Sequence, residues 1–373
     1  MNPIDDLRAA RPAHLGDSPV DEHTRRAELA HAMSQGAPAS RRLKISRPVW
    51  GLSLAGTAAA VTAVAVLGGG LGGGTAPRAP SVAVATSPVT ATTKLSAQEV
   101  LLVAASNAEK QPATSGVYWH TESVSRTLMK AVAGYTVADE TRSRSWVTAN
   151  GVWGSTQQLG VRPATDADRQ AYEAAGSPKG IEVEVPGKGK ITLSTQDRKP
   201  YASHLAGKEI FWLGRNVTMA DLKGLPEDEA GLKKWLLKHY AGHDTESDRP
   251  MGEDAWLFQT TSGLITDMPV SAKVRAAAFR MLAALPSVTT AGEVVDGQGR
   301  SGTAVAIESD SQALKGDAKG VLQTRLIIDE TSGAALAREN VVVTPGGFQK
   351  EFEAGTVWNS SWIVKAEWTD SRD

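Results

Sequence analysis

Apolar residues are spread unevenly along this chain, and the first long run of them stands alone. From Val49 to Leu71, 23 residues of mainly Ala, Val, Leu and Gly carry no charge. At about 1.5 Å per residue, a helix of that length matches the roughly 30 Å hydrocarbon core of a bilayer, so the run predicts a membrane span. Its flanks are one-sided. Arg41, Arg42, Lys44 and Arg47 precede it with no acid among them, and Trp50 stands at the same edge, whereas Arg78 is the only charge beyond it before Lys94. Cationic loops stay on the cytoplasmic side and indoles favour the headgroup level. These five residues are therefore read as membrane-edge anchors that leave the N-terminus in the cytoplasm. Ser40-Arg41-Arg42-Leu43-Lys44 also resembles a twin-arginine export signal, and Ala83-Val84-Ala85 offers a small-residue cleavage site. The long stretch before the arginine pair, and Lys44 where an apolar residue is usual, favour a retained anchor; either fate leaves the C-terminal part outside the cytoplasm.

Four regions follow. Residues 1–48 form a cytoplasmic segment with little apolar content beyond a short helix-like stretch, too little to bury a core alone. Residues 49–71 are the span. Residues 72–94, rich in Gly, Ala, Pro, Ser and Thr, read as a stalk stiffened by Pro77, Pro80 and Pro88. Residues 95–373 carry the periodic segments and nine of the ten tryptophans, enough chain for a buried core.

In that outer region Ser96 and Glu99 open a helix to about Lys110 with a capping-box pattern. Val117–Val124 and Arg144–Thr148 predict strands, the second joined through Asn150-Gly151 to the Trp153 segment as a hairpin. Helices are predicted over Thr165–Ala175, Pro226–Tyr240, Gly252–Ile265 and Ser271–Leu285. The stretches Val288–Val295, Thr303–Glu308, Val321–Asp329, Ala335–Val343 and Val357–Trp368 predict strands separated by turns such as Asp296-Gly297 and Thr331-Ser332-Gly333. Strands at both ends with helices between them give an α+β class: one transmembrane helix plus an extracytoplasmic domain with a curved antiparallel sheet and packed helices.

Composition narrows the chemistry. With no Cys, thiolate metal sites, disulfides, lipoprotein attachment and cysteine nucleophiles are excluded. A net charge of −1 gives no field for nucleic acid, so no nucleic-acid partner is expected. His239 and His243 have the four-residue spacing of a helical metal pair, but Tyr240 stands where a zinc protease needs Glu and no third ligand is spaced to join them. His120, inside a strand, reads as a packing histidine. No nucleophile elbow, phosphate loop or calcium loop is present. The expectation is a non-enzymatic protein with no cofactor and no metal. The tryptophans are the unusual resource. Trp119, Trp146 and Trp153 fall on neighbouring strands and Trp358 and Trp362 on the last one, where rings on a curved sheet form a groove for an apolar ligand or peptide. The competing reading, which ring size favours, has them filling the core.

Several segments together carry a family likeness: Pro269-Val270-Ser271, Ala276-Ala277-Ala278, Leu282-Ala283-Ala284-Leu285-Pro286, Gly292-Glu293-Val294-Val295-Asp296, Gly299-Arg300-Ser301-Gly302 and Asp329-Glu330-Thr331-Ser332-Gly333. With the plan of inner segment, span, stalk and outer domain, they resemble a family of actinobacterial single-pass membrane proteins often encoded beside extracytoplasmic-function sigma factors. Such outer domains are distantly similar to lipoprotein-carrier and sigma-regulator sensor domains. The resemblance implies a membrane-anchored sensor or regulatory partner in envelope signalling, with residues 1–47 meeting a cytoplasmic regulator. The alternative is a lipid- or peptide-binding carrier-like module. The absence of Cys departs from zinc-type anti-sigma domains.

Overall fold

The computed structural model describes residues 95–372, apart from 113 and 248. The expected cytoplasmic segment, span and stalk, with Arg41, Arg42, Lys44, Arg47 and Trp50, lie outside the described residues. Among the described residues no helix is long and apolar enough to cross a membrane.

The fold is α+β. Helix α1 (Ala97–Glu109) leads into strands β1 (Tyr118–Lys130), β2 (Thr136–Val147) and β3 (Gly151–Pro163), then α2 (Asp166–Ala174). The hairpin β4 (Gly180–Val185) and β5 (Gly189–Ser194), strand β6 (Tyr201–Ala206) and the hairpin β7 (Glu209–Trp212) and β8 (Arg215–Thr218) follow. Helices α3 (Met219–Lys223), α4 (Glu229–Leu237), α5 (Glu253–Asp267) and α6 (Ala272–Ala283) make the helical middle. Strands β9 (Thr289–Val295), β10 (Ser301–Asp310), β11 (Val321–Asp329), β12 (Ala334–Thr344) and β13 (Val357–Thr369) close the chain.

Nine strands form one antiparallel sheet in the order β6-β3-β2-β1-β13-β12-β11-β10-β9. Pairing of β1 with β13 joins the early strands to the late ones, so the two strand groups predicted at the ends of the outer region become a single layer. The hairpins β4–β5 and β7–β8 form separate two-stranded sheets, the first bridged through Val183 to Ala131, just past the end of β1.

Local signals explain the helices. Ser96 Oγ accepts from the Glu99 backbone N–H while the Glu99 carboxylate accepts from the Ser96 N–H, and Thr165 with Asp168 repeats the arrangement at α2. Ser271 Oγ caps α6 by accepting from Val274. Helix α1 packs on α6 through small residues: Ala104, Ala105, Ala276 and Ala277 are fully buried, and without long side chains the two backbones approach closely. The main core lies between these helices, α4, α5 and one end of the sheet, around Trp256, Phe258, Phe279 and Leu282. Full burial of each such side chain contributes roughly 1.5–3 kcal/mol.

Two of the family-like segments, around residues 296–300 and 329–333, are turns that fasten layers; residues 276–278 lie in α6 and residues 292–295 in β9. In Asp296-Gly297-Gln298-Gly299-Arg300 the buried Asp296 carboxylate accepts from the backbone N–H groups of Gln298 and Arg300, both at 2.9 Å, and from the Arg300 guanidinium. This turn lies against the indole of Trp362: a Cβ on Gly297 would sit 1.9 Å from the ring, so only glycine fits. Asp329 likewise accepts from Thr331 and Ser332, and the Asn107 amide of α1 donates to Glu330 O at 2.7 Å, docking the first helix on the β11–β12 turn.

Candidate ligand cavity

Strands β1 and β2 are longer than expected because their alternation is concealed by composition. One face of β1 carries Thr121, Ser123, Ser125 and Thr127; one face of β2 carries Asp139, Thr141, Ser143 and Ser145. The register sets Thr121 against Ser145, Ser123 against Ser143, and Ser125 against Thr141. On its other side β1 pairs with β13, which adds Ser361 opposite Ser125 and Asn359 opposite Thr127. Side chains on one face of a strand recur every second residue, so three adjacent strands present a grid of hydroxyl and amide groups.

This grid is the sheet wall of a cavity of about 430 Å³, partly open to solvent. The opposite wall is α5, through Gln259, Thr260, Ser262, Gly263 and Thr266. Three of its hydroxyls bond back to the helix itself: Thr260 Oγ1 donates to Trp256 O at 2.8 Å, Ser262 Oγ to Phe258 O at 2.7 Å and Thr266 Oγ1 to Ser262 O at 3.0 Å. That arrangement satisfies each O–H inside the helix and leaves its oxygen lone pairs as acceptors. The remaining rim includes the β7–β8 turn, the segment around Asp244 and Arg249, and Phe348 with Gln349. In the β7–β8 turn Leu213 has φ 56° and Gly214 φ 69°; a Cβ on Gly214 would meet Thr245 O at 2.2 Å. Leu213 holds a left-handed conformation that disfavours a branched side chain, so local strain sits at the cavity rim.

The charges in the wall are mostly matched. The Arg338 guanidinium lies 3.0 Å from the Asp267 carboxylate and that of Arg249 3.2 Å from Asp244. Burial pushes the Asp267 carboxyl upward, against the pull of Arg338. Asp139 has no such close partner. Burial, with Glu140 beside it, raises its pKa to about 6, and Arg198 only partly opposes this. Three polar groups in the wall are buried without a partner: Ser145 Oγ, in a residue 3% exposed, Gln349 Oε1, in a residue 1% exposed, and Arg249 Nε. A buried hydroxyl or amide oxygen left unpaired costs roughly 1–3 kcal/mol.

The five tryptophans proposed for one ligand face are divided between different surroundings. Trp358 lines the cavity and packs with Leu128, Leu322 and Phe352. Trp119 is part of the main core, and its indole N–H donates to Asp267 O at 2.8 Å, tying the sheet to the end of α5. Trp146 and Trp153 project from the other face, in a cross-strand row His120, Trp146, Trp153, His204. Within it His120 stacks on Trp146 and Trp153 on His204, each at 4.6 Å. Trp362 is on that face too, sealed under Gly297 with the Arg126 guanidinium 4.9 Å from its ring. A single aromatic groove is therefore replaced by one cavity tryptophan, one core anchor and three rings on the far face. What reading the sequence missed is the Ser/Thr wall.

Among the described residues the histidines are outside the cavity lining. His239 Nδ1 lies 3.1 Å from the Arg215 guanidinium, and burial together with Arg215 and Lys238 lowers its pKa. His243 Nδ1 lies 2.7 Å from Asp244 O. Among the described residues no group of three or more His, Asp or Glu side chains is placed to hold a metal ion.

Fold and site together define an α+β domain whose antiparallel sheet and fifth helix enclose a hydroxyl-lined cavity. Comparison with protein-family models, curated proteins and solved structures finds no match for this chain.

Proposed function

We propose that the chain is a membrane-anchored, non-enzymatic sensor: residues 95–373 lie outside the cytoplasm and bind a ligand in the cavity, and residues 1–47 contact a cytoplasmic regulator of the sigma-factor class. The uncharged run 49–71 with its basic shoulder supports the anchor. The observation that carries the sensing half is the cavity, with Ser145 Oγ and Gln349 Oε1 buried in its wall without partners. Polar groups sealed in this way are satisfied when something polar fills the space between them. An acyl chain would leave the grid of hydroxyls unpaired, which disfavours the lipid-carrier alternative.

The test fills the cavity from within. Ser143→Phe, in full-length protein expressed in its membrane, projects a ring into the space; Thr141→Val, which changes polarity and not volume, accompanies it in case the larger substitution fails to fold. The readouts are protection of an N-terminal epitope from external protease, and transcription driven by the associated sigma factor under envelope stress. A protected N-terminus with a response blunted in either folded variant is the expected result. An exposed N-terminus overturns the anchor, and a wild-type response in both folded variants overturns sensing through the cavity.

A further inference from the structure

The chemistry of the wall also specifies what it would hold, given that the cavity is a ligand site as proposed above. We infer that the ligand is a neutral, polyhydroxylated molecule of one or two sugar rings, read by the β1–β2–β13 grid on one side and by α5 on the other.

Three observations lead there. The first is donor and acceptor balance. Thr141, Ser143 and Ser361 are half-buried hydroxyls, each able to donate and accept, and Ser125, whose hydroxyl donates to Thr141 O, adds an acceptor; they repeat across neighbouring strands. At spacings of about 4.5–5.5 Å across the strands and about 7 Å along them, they match a ligand carrying hydroxyls around a ring. The back-bonded hydroxyls of Thr260, Ser262 and Thr266 offer acceptors from the other wall, so a ligand O–H finds partners on both sides. The second is charge. Arg338 and Arg249 are each charge-paired with a carboxylate, Asp267 and Asp244, which leaves the wall without an excess positive charge for a phosphate; the Arg249 Nε–H, buried without a partner, is a further donor for a ligand hydroxyl. Asp139, facing the cavity, is an acceptor for ligand hydroxyls when ionised and a donor when protonated. The third is shape and ring surface. A volume of about 430 Å³ falls at the small end of ligand sites. Trp358, Phe211 and Phe348 supply apolar ring surface against which the C–H face of a pyranose can lie, and Ser145 Oγ and Gln349 Oε1 are buried lining groups still lacking partners.

The experiment is native mass spectrometry of the full-length chain extracted from its own membrane in mild detergent. It is followed by titration with glucose, N-acetylglucosamine, maltose and trehalose, and with palmitate and a neutral tetrapeptide as contrasting probes. A neutral polyol or saccharide mass on the protein, or saturable binding of at least one sugar, is expected, with affinity about 5–10-fold weaker in Thr141→Val from loss of one hydrogen bond. Thr192→Val on exposed β5, outside the cavity, should bind like the wild type. Palmitate or tetrapeptide binding without any sugar overturns the saccharide assignment and leaves the ligand-binding reading intact. Sugar binding unchanged in folded Thr141→Val overturns the grid as its reader. No bound ligand of any class overturns both.

Discussion

One sheet carries two unlike regions on its helix-covered side. Over β10 and β11 the inward positions are Val305, Ile307, Leu326 and Ile328, at most 4% exposed and packed against the helices. Over β1, β2 and β13 the corresponding positions are Ser123, Ser125, Thr141, Ser143 and Ser361, and a cavity takes the place of packed side chains. Backbone pairing is antiparallel in both and the alternation has the same period. Strand geometry therefore does not distinguish a region that holds the fold together from one left open to bind. The side-chain chemistry does: branched apolar groups draw the helices down, and hydroxyls keep water or ligand between the layers.

The largest effect expected from this contrast is at Leu326, which is fully buried. Leu326→Ala should lower the unfolding free energy by about 3 kcal/mol in a urea titration, through lost transfer energy and a cavity that apolar neighbours cannot fill. A reciprocal exchange between the regions comes next. Val305→Thr puts a hydroxyl with no partner into the dry region and should cost about 2 kcal/mol. Thr141→Val is the same exchange reversed in the hydroxyl region and should change stability by less than about 0.5 kcal/mol, because its hydroxyl is half-exposed. Similar costs for the two would erase the distinction.

Asp139 sharpens the comparison by its pH dependence. Its pKa rises from 3.8 to about 6 on folding because burial disfavours the carboxylate. The folded protein then binds more protons than the unfolded chain between these values, so this residue's contribution to stability falls as pH rises from about 4 through about 6. Asp139→Asn has nothing to ionise. The variant should match the wild type near pH 4 and exceed it above pH 7 by on the order of 1–2 kcal/mol, measured as midpoint shifts in parallel urea titrations. Glu339, raised to about 7 on the other face by burial and Asp296, adds the same trend to both proteins and cancels in the difference. A gap of equal size at both pH values would place Asp139 in ordinary solvent.

Much of the fold was legible from the chain. Helices α1, α2, α5 and α6 were found by Ser96, Thr165, Gly252 and Ser271, and β11 was located to the residue, because caps and Val/Ile-rich runs are local signals. The wall of the cavity was not. In Thr121-Glu122-Ser123-Val124-Ser125-Arg126-Thr127 polar residues occupy both faces, so no hydrophobic period marks the strand, and the pattern predicts β1 and β2 shorter than they are. Only the register, a long-range property, brings their hydroxyls to one face. The tryptophans misled for the opposite reason: large rings are conspicuous in sequence, and Trp146 and Trp358 differ by which side of the sheet they occupy, something no spacing encodes.

The most direct test of the account is an experimental density map of the full-length protein purified from its own membrane, resolved well enough to show what fills the space between α5 and the sheet. The account predicts ordered, polar density within hydrogen-bond distance of Ser145 Oγ and Gln349 Oε1, bounded by Trp358. An acyl chain there, or walls collapsed against each other with those two atoms paired across the gap, would contradict it.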